Sequence, residues 1–242
     1  MRFSSLASLL SVLPACYGLV GTQWSISNVP PSGLTDITFP LTVVDTDRVT
    51  GYFFAQQFGF VGGNGLGIIG IQPHFPENSN GAPVFRAEFS SFIEGTTTND
   101  GNCALGADGG PGVSCRAEWD GVYGRTYNLQ VTKVGGSGWM AMAIDTETGE
   151  SVHVGTFTLP AGNRGIRGTQ AGFVEWYPWN SGSHKCESLP FQKTIFGNPT
   201  TTREGSVGEQ GSAYEYGDCV GRVNFGTSMV PDGVLIKCGF RQ

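Results

Sequence analysis

Short apolar or alternating segments recur along the chain, and glycine-rich turns separate them. Eight segments have the β-branched and aromatic content of strands of about 5–8 residues. They are TFPLTVVDT, GYFFAQQFGF, RTYNLQVTKV, WMAMAIDTETG, ESVHVGTFTLP, AGFVEWY, GRVNFG and DGVLIKCGF. No segment has the apolar period of a long amphipathic helix, so the pattern predicts an all-β fold. Many short strands favour an antiparallel β-sandwich of jelly-roll type with disulfide-stabilised loops.

Two segments have patterns that bear on the arrangement of the strands. In VFRAEFSSFIE, Phe85, Phe89 and Phe92 fit a helical face as well as Phe85, Ala87 and Phe89 fit a strand face. We predict a strand, because the neighbouring segments are strands. MAMAIDTETGESVHVGTF is typical of a hairpin, with its turn over residues 146–149.

The chain is predicted to form one β-sandwich domain over residues 19–242, an ordinary size for all-β domains. Residues 198–218 are polar and rich in Gly, Thr and Glu. We therefore expect a long polar loop there, followed by the C-terminal strands.

Residues 1–18 have the order of a secretory signal peptide. A single Arg2 precedes an apolar run from Leu6 to Leu13, and small residues lead to a cleavage site after Gly18. The apolar run is far shorter than the roughly 20 residues of a membrane span. The alternative is a lipoprotein signal, since LPAC places Cys16 after Leu-Pro-Ala. The pattern predicts a secreted, extracellular protein without a membrane span.

Charge argues against a nucleic-acid partner. The formal net charge is −6, and only 14% of the residues are charged. Nucleic-acid binding depends on clustered Lys and Arg, and the chain has no such cluster.

The cysteine count predicts an unpaired thiol. Once Cys16 leaves with the signal, five cysteines remain. Cys103 and Cys115 bracket a glycine-rich loop and are predicted to pair. The other three are Cys186, Cys219 and Cys238, and the shortest separation favours a Cys219–Cys238 bond.

Aromatic rings beside carboxylates and amides are the candidate chemistry. Flat rings with a few placed polar groups are the usual lining of a sugar-binding cleft. The candidate ligand-binding residues are Trp119, Tyr123, Tyr127, Tyr177, Trp179, Gln56 and Gln57. The candidate catalytic carboxyls are Glu175, Glu118, Asp120 and Glu88, because glycoside hydrolysis needs a pair of carboxyl groups.

Strand alternation divides the segment AGFVEWYPWN between two faces. It places Phe173, Glu175 and Tyr177 on one face, and Val174 and Trp176 on the face toward the core.

A polyuronate lyase is an alternative that assigns the chemistry to more specific residue types. It needs a base, a tyrosine that protonates the leaving oxygen, and Arg or Gln to neutralise the acid. The pairs Gln72-x-His74 and Arg86-x-Glu88 are similar to strand motifs of jelly-roll alginate and glucuronan lyases. Their order is reversed, however, and no third motif of the Tyr-Phe-Lys-Ala-Gly type follows. Pro73 is expected to interrupt any strand that would direct Gln72 and His74 together.

Neither a metal nor a cofactor is predicted. The three histidines lack metal-ligand spacing. The loop with Asp100, Asn102 and Asp108 carries oxygen ligands that suit calcium, but it departs from the EF-hand pattern and is interpreted as a solvated turn.

One ordered set of motifs resembles a known family. The motifs are YFFAQQFGFVGGNGLGIIGIQP, FRAEFSSFIEG, WDGVYGRTYNLQVTKV, GWMAMAIDTETGESVHVGTFTLP and AGFVEWY. Over about residues 50–180 they resemble secreted β-sandwich domains of unknown function from bacteria and fungi. The resemblance implies a β-sandwich, often beside carbohydrate-related modules, and implies no catalytic residues.

Two functional hypotheses follow. The first is a secreted carbohydrate-recognising protein, either lectin-like or a cell-wall-active hydrolase or lyase, whose partner is a polysaccharide. The alternative is a secreted effector or elicitor that acts through contact with a host protein.

Overall fold

The computed structural model describes residues 18–78, 80–182 and 184–241. Sixteen strands lie in these ranges. They are β1 Gly18–Ile26, β2 Asp36–Thr46, β3 Tyr52–Gly59, β4 Leu66–His74, β5 Val84–Ser91, β6 Cys103–Ala107, β7 Gly110–Asp120, β8 Thr126–Lys133, β9 Gly138–Asp145, β10 Ser151–Thr158, β11 Thr169–Trp176, β12 Gln192–Gly197, β13 Gly208–Gln210, β14 Tyr214–Glu215, β15 Gly226–Val230 and β16 Gly233–Cys238. Short 3₁₀ helices cover Tyr177–Ser181 and Cys186–Ser188.

The strands form two antiparallel sheets, so the predicted β-sandwich is confirmed. One sheet has nine strands in the order β13-β1-β11-β3-β4-β5-β7-β6, with β14 paired to β1. The other has seven, in the order β10-β9-β8-β2-β12-β16-β15. Both sheets join strands that are far apart in sequence.

The core lies between the sheets and is rich in aromatic rings. Phe89 stacks on Phe157 with ring centroids 4.4 Å apart, which joins β5 of one sheet to β10 of the other. Such offset pairs stabilise a core beyond the area that they bury. The largest fully buried side chains are Trp24, Trp139, Tyr52, Tyr127, Phe39, Phe54, Phe58, Phe60, Phe85, Phe89, Phe157 and Phe196.

The predicted hairpin is present, and VFRAEFSSFIE contains a strand, β5. Strands β9 and β10 pair antiparallel, and the amide of Gly149 donates a 2.9 Å hydrogen bond to the carbonyl of Asp145. Gly149 has a φ of +76°, which a glycine adopts without strain. The strand predicted at GRVNFG is wrong, because that segment is mostly a turn and β15 begins only at Gly226.

The described residues form two disulfide bonds. Cys103 and Cys115 are bonded as predicted. The expected Cys219–Cys238 bond is wrong, since Cys186 bonds to Cys219 and Cys238 is a buried free thiol. Strand β16 directs Cys238 into the core, where it accepts a 3.2 Å hydrogen bond from the Gln192 amide. Nearness in sequence therefore gave the wrong partner.

Residues 198–218 hold two short strands instead of an uninterrupted loop. Strands β13 and β14 both pair with β1 at the edge of the nine-stranded sheet. The predicted signal over residues 1–18, with Cys16, lies outside the described residues except for Gly18, the first residue of β1. In the described ranges, no helix is both long and apolar enough to span a bilayer.

Candidate functional site

The nine-stranded sheet has one face in the core and one face directed away from it, which we call the outer face. On β11, Val174 and Trp176 belong to the core, while Phe173 packs on the opposite side with Phe53. The alternation predicted for this segment is therefore confirmed. The same alternation places Glu88 and Glu118, which lie in the register pairs Glu88–Arg116 and Arg86–Glu118, on the outer face.

A small apolar cluster forms the floor of the outer face. Phe53, Ala55 and Ile68 are buried there, and Phe92, Phe173 and Tyr177 pack against them. Ala55 lies opposite Gly70, and Gly70 lies opposite Glu88. The ring of Phe53 lies over Gly70, because a Cβ added to Gly70 would be 2.7 Å from Cε2 of Phe53.

Gln72, Arg86 and Glu118 form a row across three neighbouring strands. Gln72 of β4 is opposite Arg86 of β5, which in turn is opposite Glu118 of β7. The Arg86 guanidinium donates through Nε and Nη2 to Oε1 of Glu118, at 2.8 and 2.6 Å. This charge-assisted contact directs the guanidinium toward β7, while Gln72 is the residue directly opposite Arg86 on β4.

His74 belongs to the same strand as Gln72, despite Pro73 between them. The expectation that Pro73 would break this strand is wrong, because Pro73 pairs with Phe85 within β4 and β5. The paired register of β3 and β4 ends at Ile71, before Pro73, so no partner on β3 needs its missing N–H. His74 and Gln72 consequently share the outer face, with His74 Nε2 3.3 Å from Gln72 Oε1.

His74 and Tyr177 lie on either side of one short backbone segment. The Tyr177 amide donates a 3.0 Å hydrogen bond to the carbonyl of Gly51. The adjacent Thr50 side chain bonds to the backbone N–H and carbonyl of Phe75, the residue after His74. Residues 50 and 51 therefore bring the ends of β4 and β11 together.

The protonation states of His74 and Tyr177 suit acid–base chemistry. Burial, and next the charge of Arg86, lower the pKa of His74 from its usual 6.5, which favours the neutral ring. In the tautomer that protonates Nε2, the neutral ring donates to Gln72 Oε1 and keeps a lone pair on Nδ1. Burial is the main cause that raises the pKa of Tyr177, so its hydroxyl stays protonated.

Two carboxyl groups also act on Tyr177. Glu88 and Glu175 raise the Tyr177 pKa and Arg86 lowers it, so all three charges lie near the hydroxyl. Burial raises the pKa of Glu88 itself, which favours the uncharged acid at mildly acidic pH. Glu175 is buried and accepts a 2.8 Å hydrogen bond from the Asn180 side chain.

Comparison with known proteins assigns no family. No family model matches the chain, and no curated protein matches it. Scytalido-glutamic peptidase, solved with a peptide-based transition-state analogue, is similar to the chain at 13% identity with a TM-score of 0.47. The alignment covers 92% of this chain and 98% of that one.

Two further solved structures are similar to the chain at the same coverages, 92% of this chain and 98% of theirs. Scytalido-glutamic peptidase with another transition-state analogue inhibitor gives 14% identity and a TM-score of 0.45. SCP-B, a member of the eqolisin family of peptidases in complex with the tripeptide Ala-Ile-His, gives 12% and 0.42. Similarity at this level transfers neither residue roles nor an activity to this chain.

Some candidates from the sequence reach the outer face. The outer face carries Glu88, Glu118, Glu175 and Tyr177. Two more candidates, Asp120 and Gln57, lie at its margins. Asp120 ends β7 and accepts a hydrogen bond from the Asn78 side chain. Gln57 is paired with Ile68.

The other candidates lie elsewhere. Trp119 contacts Phe85 and Tyr127 on the core side, and Gln56 is buried there, bonded to Gln210. Trp179 is buried and stacks on His184. Tyr123 packs under Arg48, with its hydroxyl 2.9 Å from that of Thr46. The rings of Trp119 and Tyr123 are partly buried and that of Trp179 is buried, so none of the three is a fully exposed flat ring.

The outer-face residues that the candidate list omitted are Gln72, His74 and Arg86. Their signal was in the sequence, in the two spaced pairs Gln-x-His and Arg-x-Glu. Only the strand register shows that these pairs lie side by side. Among the described residues, His184, Cys186 and Cys219 are close enough to hold a metal, but both sulfurs are bonded to each other.

Proposed function

We propose that the outer face binds an acidic polysaccharide and cleaves it by β-elimination. The observation that carries this proposal is that Gln72, His74, Arg86 and Tyr177 share one sheet face. A neutral base, a protonated hydroxyl and two groups that neutralise a carboxylate are the parts that the reaction needs.

The reaction assigns each of these residues one role. Arg86 and Gln72 bind the uronate carboxylate and stabilise the charge that develops on it. His74 Nδ1 takes the proton from the carbon beside that carboxylate, and the released electron pair forms a carbon–carbon double bond. The bond from the next carbon to the glycosidic oxygen breaks, and the Tyr177 hydroxyl protonates the leaving oxygen.

The carboxyl groups on the face are compatible with a carboxylated ligand. Glu118 is already paired with Arg86, and burial raises the pKa of Glu88, which disfavours its charged form. Both effects reduce the repulsion that a uronate would meet. The two disulfide bonds fit an extracellular protein, where polysaccharide substrates occur.

A second candidate function is carbohydrate hydrolysis through the carboxyl groups. The raised pKa of Glu88 suits a general acid, and Glu175 lies on the same face. In that reaction Glu88→Gln and Glu175→Gln would abolish activity, and His74 would matter little.

The test is a substrate panel on the purified secreted protein. The protein is incubated with polygalacturonate, alginate, glucuronan, neutral glucans and unstructured polypeptides. Three products are measured: new reducing ends, the ultraviolet absorbance of unsaturated uronates, and new amino termini. We expect reducing ends together with absorbance on a polyuronide. Reducing ends without absorbance would indicate the hydrolase, and binding without product would indicate a lectin. New amino termini would indicate a peptidase.

Matched variants locate the chemistry. Tyr177→Phe removes the proton donor and should lower kcat on the polyuronide at least about 100-fold, the usual scale of general acid catalysis. Tyr214→Phe makes the same change on β14, where Tyr214 is largely exposed, and should have no effect. Equal activities of the two variants would exclude Tyr177 as the acid. If no substrate in the panel is bound or cleaved, the result would favour the alternative that the protein acts through contact with a host protein.

A further inference from the structure

A groove of about 540 Å³ continues from the outer face across β7 toward β10. Arg86 and Glu118 belong to both the outer face and the groove. The groove adds Asn102, Arg116 and His153, which the proposed reaction does not use. It therefore reaches from the reacting groups to the seam between the two sheets.

Arg116 is the available cation in this groove. It is exposed, and within residues 18–78, 80–182 and 184–241 it makes no ion pair. Its cross-strand neighbour is Glu88, where burial raises the pKa of the carboxyl and the charges of Arg86 and Arg116 lower it. Arg86 donates to Glu118 through Nε and Nη2, whereas the whole guanidinium of Arg116 can meet an anion from solution.

The surroundings of Arg116 are held in place by hydrogen bonds. The Arg116 amide donates a 3.0 Å bond to the Asn102 carbonyl, and the Asn102 side chain donates a 2.9 Å bond to the His153 carbonyl. His153 Nε2 lies 2.6 Å from Oδ2 of Asp100. The loop before β6 thus ties β7 to β10, so this wall of the groove is formed before a ligand binds.

The spacing of the arginines suits a polymer. Arg86 lies directly opposite Glu118, and Arg116 is two residues from Glu118 along β7. Diagonal neighbours of this kind are about 7–8 Å apart between Cα atoms. The two guanidiniums can therefore meet carboxylates on successive sugars of one chain.

We propose that Arg116, with Asn102 and His153, forms a carboxylate-binding subsite for the sugar next to the cleaved bond. This inference rests on the proposed function, because it takes the reacting sugar to lie at Gln72, His74 and Arg86. Arg116 acts here in binding only, since it contacts none of the proposed reacting atoms.

Equilibrium binding tests the subsite apart from the chemistry. The probes are hexamers and dimers of galacturonate, mannuronate and glucuronate, together with carboxyl-reduced hexamers. They are titrated calorimetrically into the full secreted chain carrying Tyr177→Phe, with and without Arg116→Gln. Arg203→Gln, on an exposed turn outside the groove, makes the same change of charge and is the control. Thermal unfolding confirms that each variant is folded.

We expect Arg116→Gln to weaken binding of one acidic hexamer about ten-fold, the usual scale of one charged hydrogen bond. Binding of the dimer and of the reduced hexamer should not change, and Arg203→Gln should have no effect. Equal hexamer affinity with and without Arg116 would overturn the subsite, and so would the absence of hexamer binding by the parent.

The two proposals can fail separately. Hexamer binding that depends on Arg116, without unsaturated product from the unmodified chain, would support the subsite and overturn the lyase reaction. Unsaturated product with hexamer affinity independent of Arg116 would support the lyase reaction and overturn the subsite.

Discussion

His74 shows how one substitution can test the electrostatics of the outer face. Burial and the Arg86 charge lower its pKa, while Glu118 raises it. A histidine with a lowered pKa stays neutral further into the acid range. A base of this kind would keep activity at mildly acidic pH and lose it as pH falls through the lowered pKa.

We expect Arg86→Gln to raise the pKa of His74. The substitution removes the positive charge and leaves Glu118 without its partner, and both changes favour the imidazolium. NMR titration of the imidazole signals measures the pKa without any substrate, and only three histidines need assignment. Arg203→Gln is the control, and a His74 pKa unchanged by Arg86→Gln would contradict the proposed contact.

The free thiol of Cys238 should be inert in the folded protein. It is fully buried, and burial is the main cause that raises its pKa to about 12. The thiolate is the reactive form, so at neutral pH a thiol reagent should label Cys238 only after denaturation. Mass spectrometry of native and denatured samples checks this, and fast native labelling would show that β16 opens readily.

At the scale of the strand, alternation was readable from the sequence and register was not. The pattern AGFVEWY correctly divided Val174 and Trp176 from Glu175, because a strand alternates its side chains between two faces. Nothing in the sequence indicated that β4 pairs with β5 so that Gln72 meets Arg86. The sequence did not indicate the burial of the aromatic rings either, since Trp119 packs against the core and Trp179 is buried.

At Gly155 of β10 the two sheets approach each other closely, next to the Cys103–Cys115 disulfide bond. A Cβ added there would lie 2.4 Å from the Cβ of Cys115 and 2.6 Å from the Sγ of Cys103. Gly155→Ala should therefore destabilise the fold by about 1–3 kcal/mol, as overpacking does. Gly101→Ala is the control, because nothing lies within 4 Å of its added Cβ. Denaturant unfolding measures both, and equal stabilities would contradict this packing.

For the whole molecule, the two disulfide bonds should differ in how much each adds to the free energy of unfolding. Cys186–Cys219 spans 33 residues and Cys103–Cys115 spans 12. Loop-closure entropy gives about 4 kcal/mol for the longer loop and about 3 kcal/mol for the shorter one. Replacing each pair by serines and measuring denaturant unfolding should show the larger loss for Cys186–Cys219. The reverse order would show that native packing outweighs loop entropy.

The position of β1 has a consequence for synthesis. It is the first strand described, yet it lies between β11 and the pair β13 and β14, all of them much later in the chain. A ribosome makes β1 long before these partners exist, so this side of the nine-stranded sheet cannot close on the nascent chain. This side of the sheet can therefore form only after residues 208–215 have been made, which gives the fold long-range contacts of the kind that slow folding.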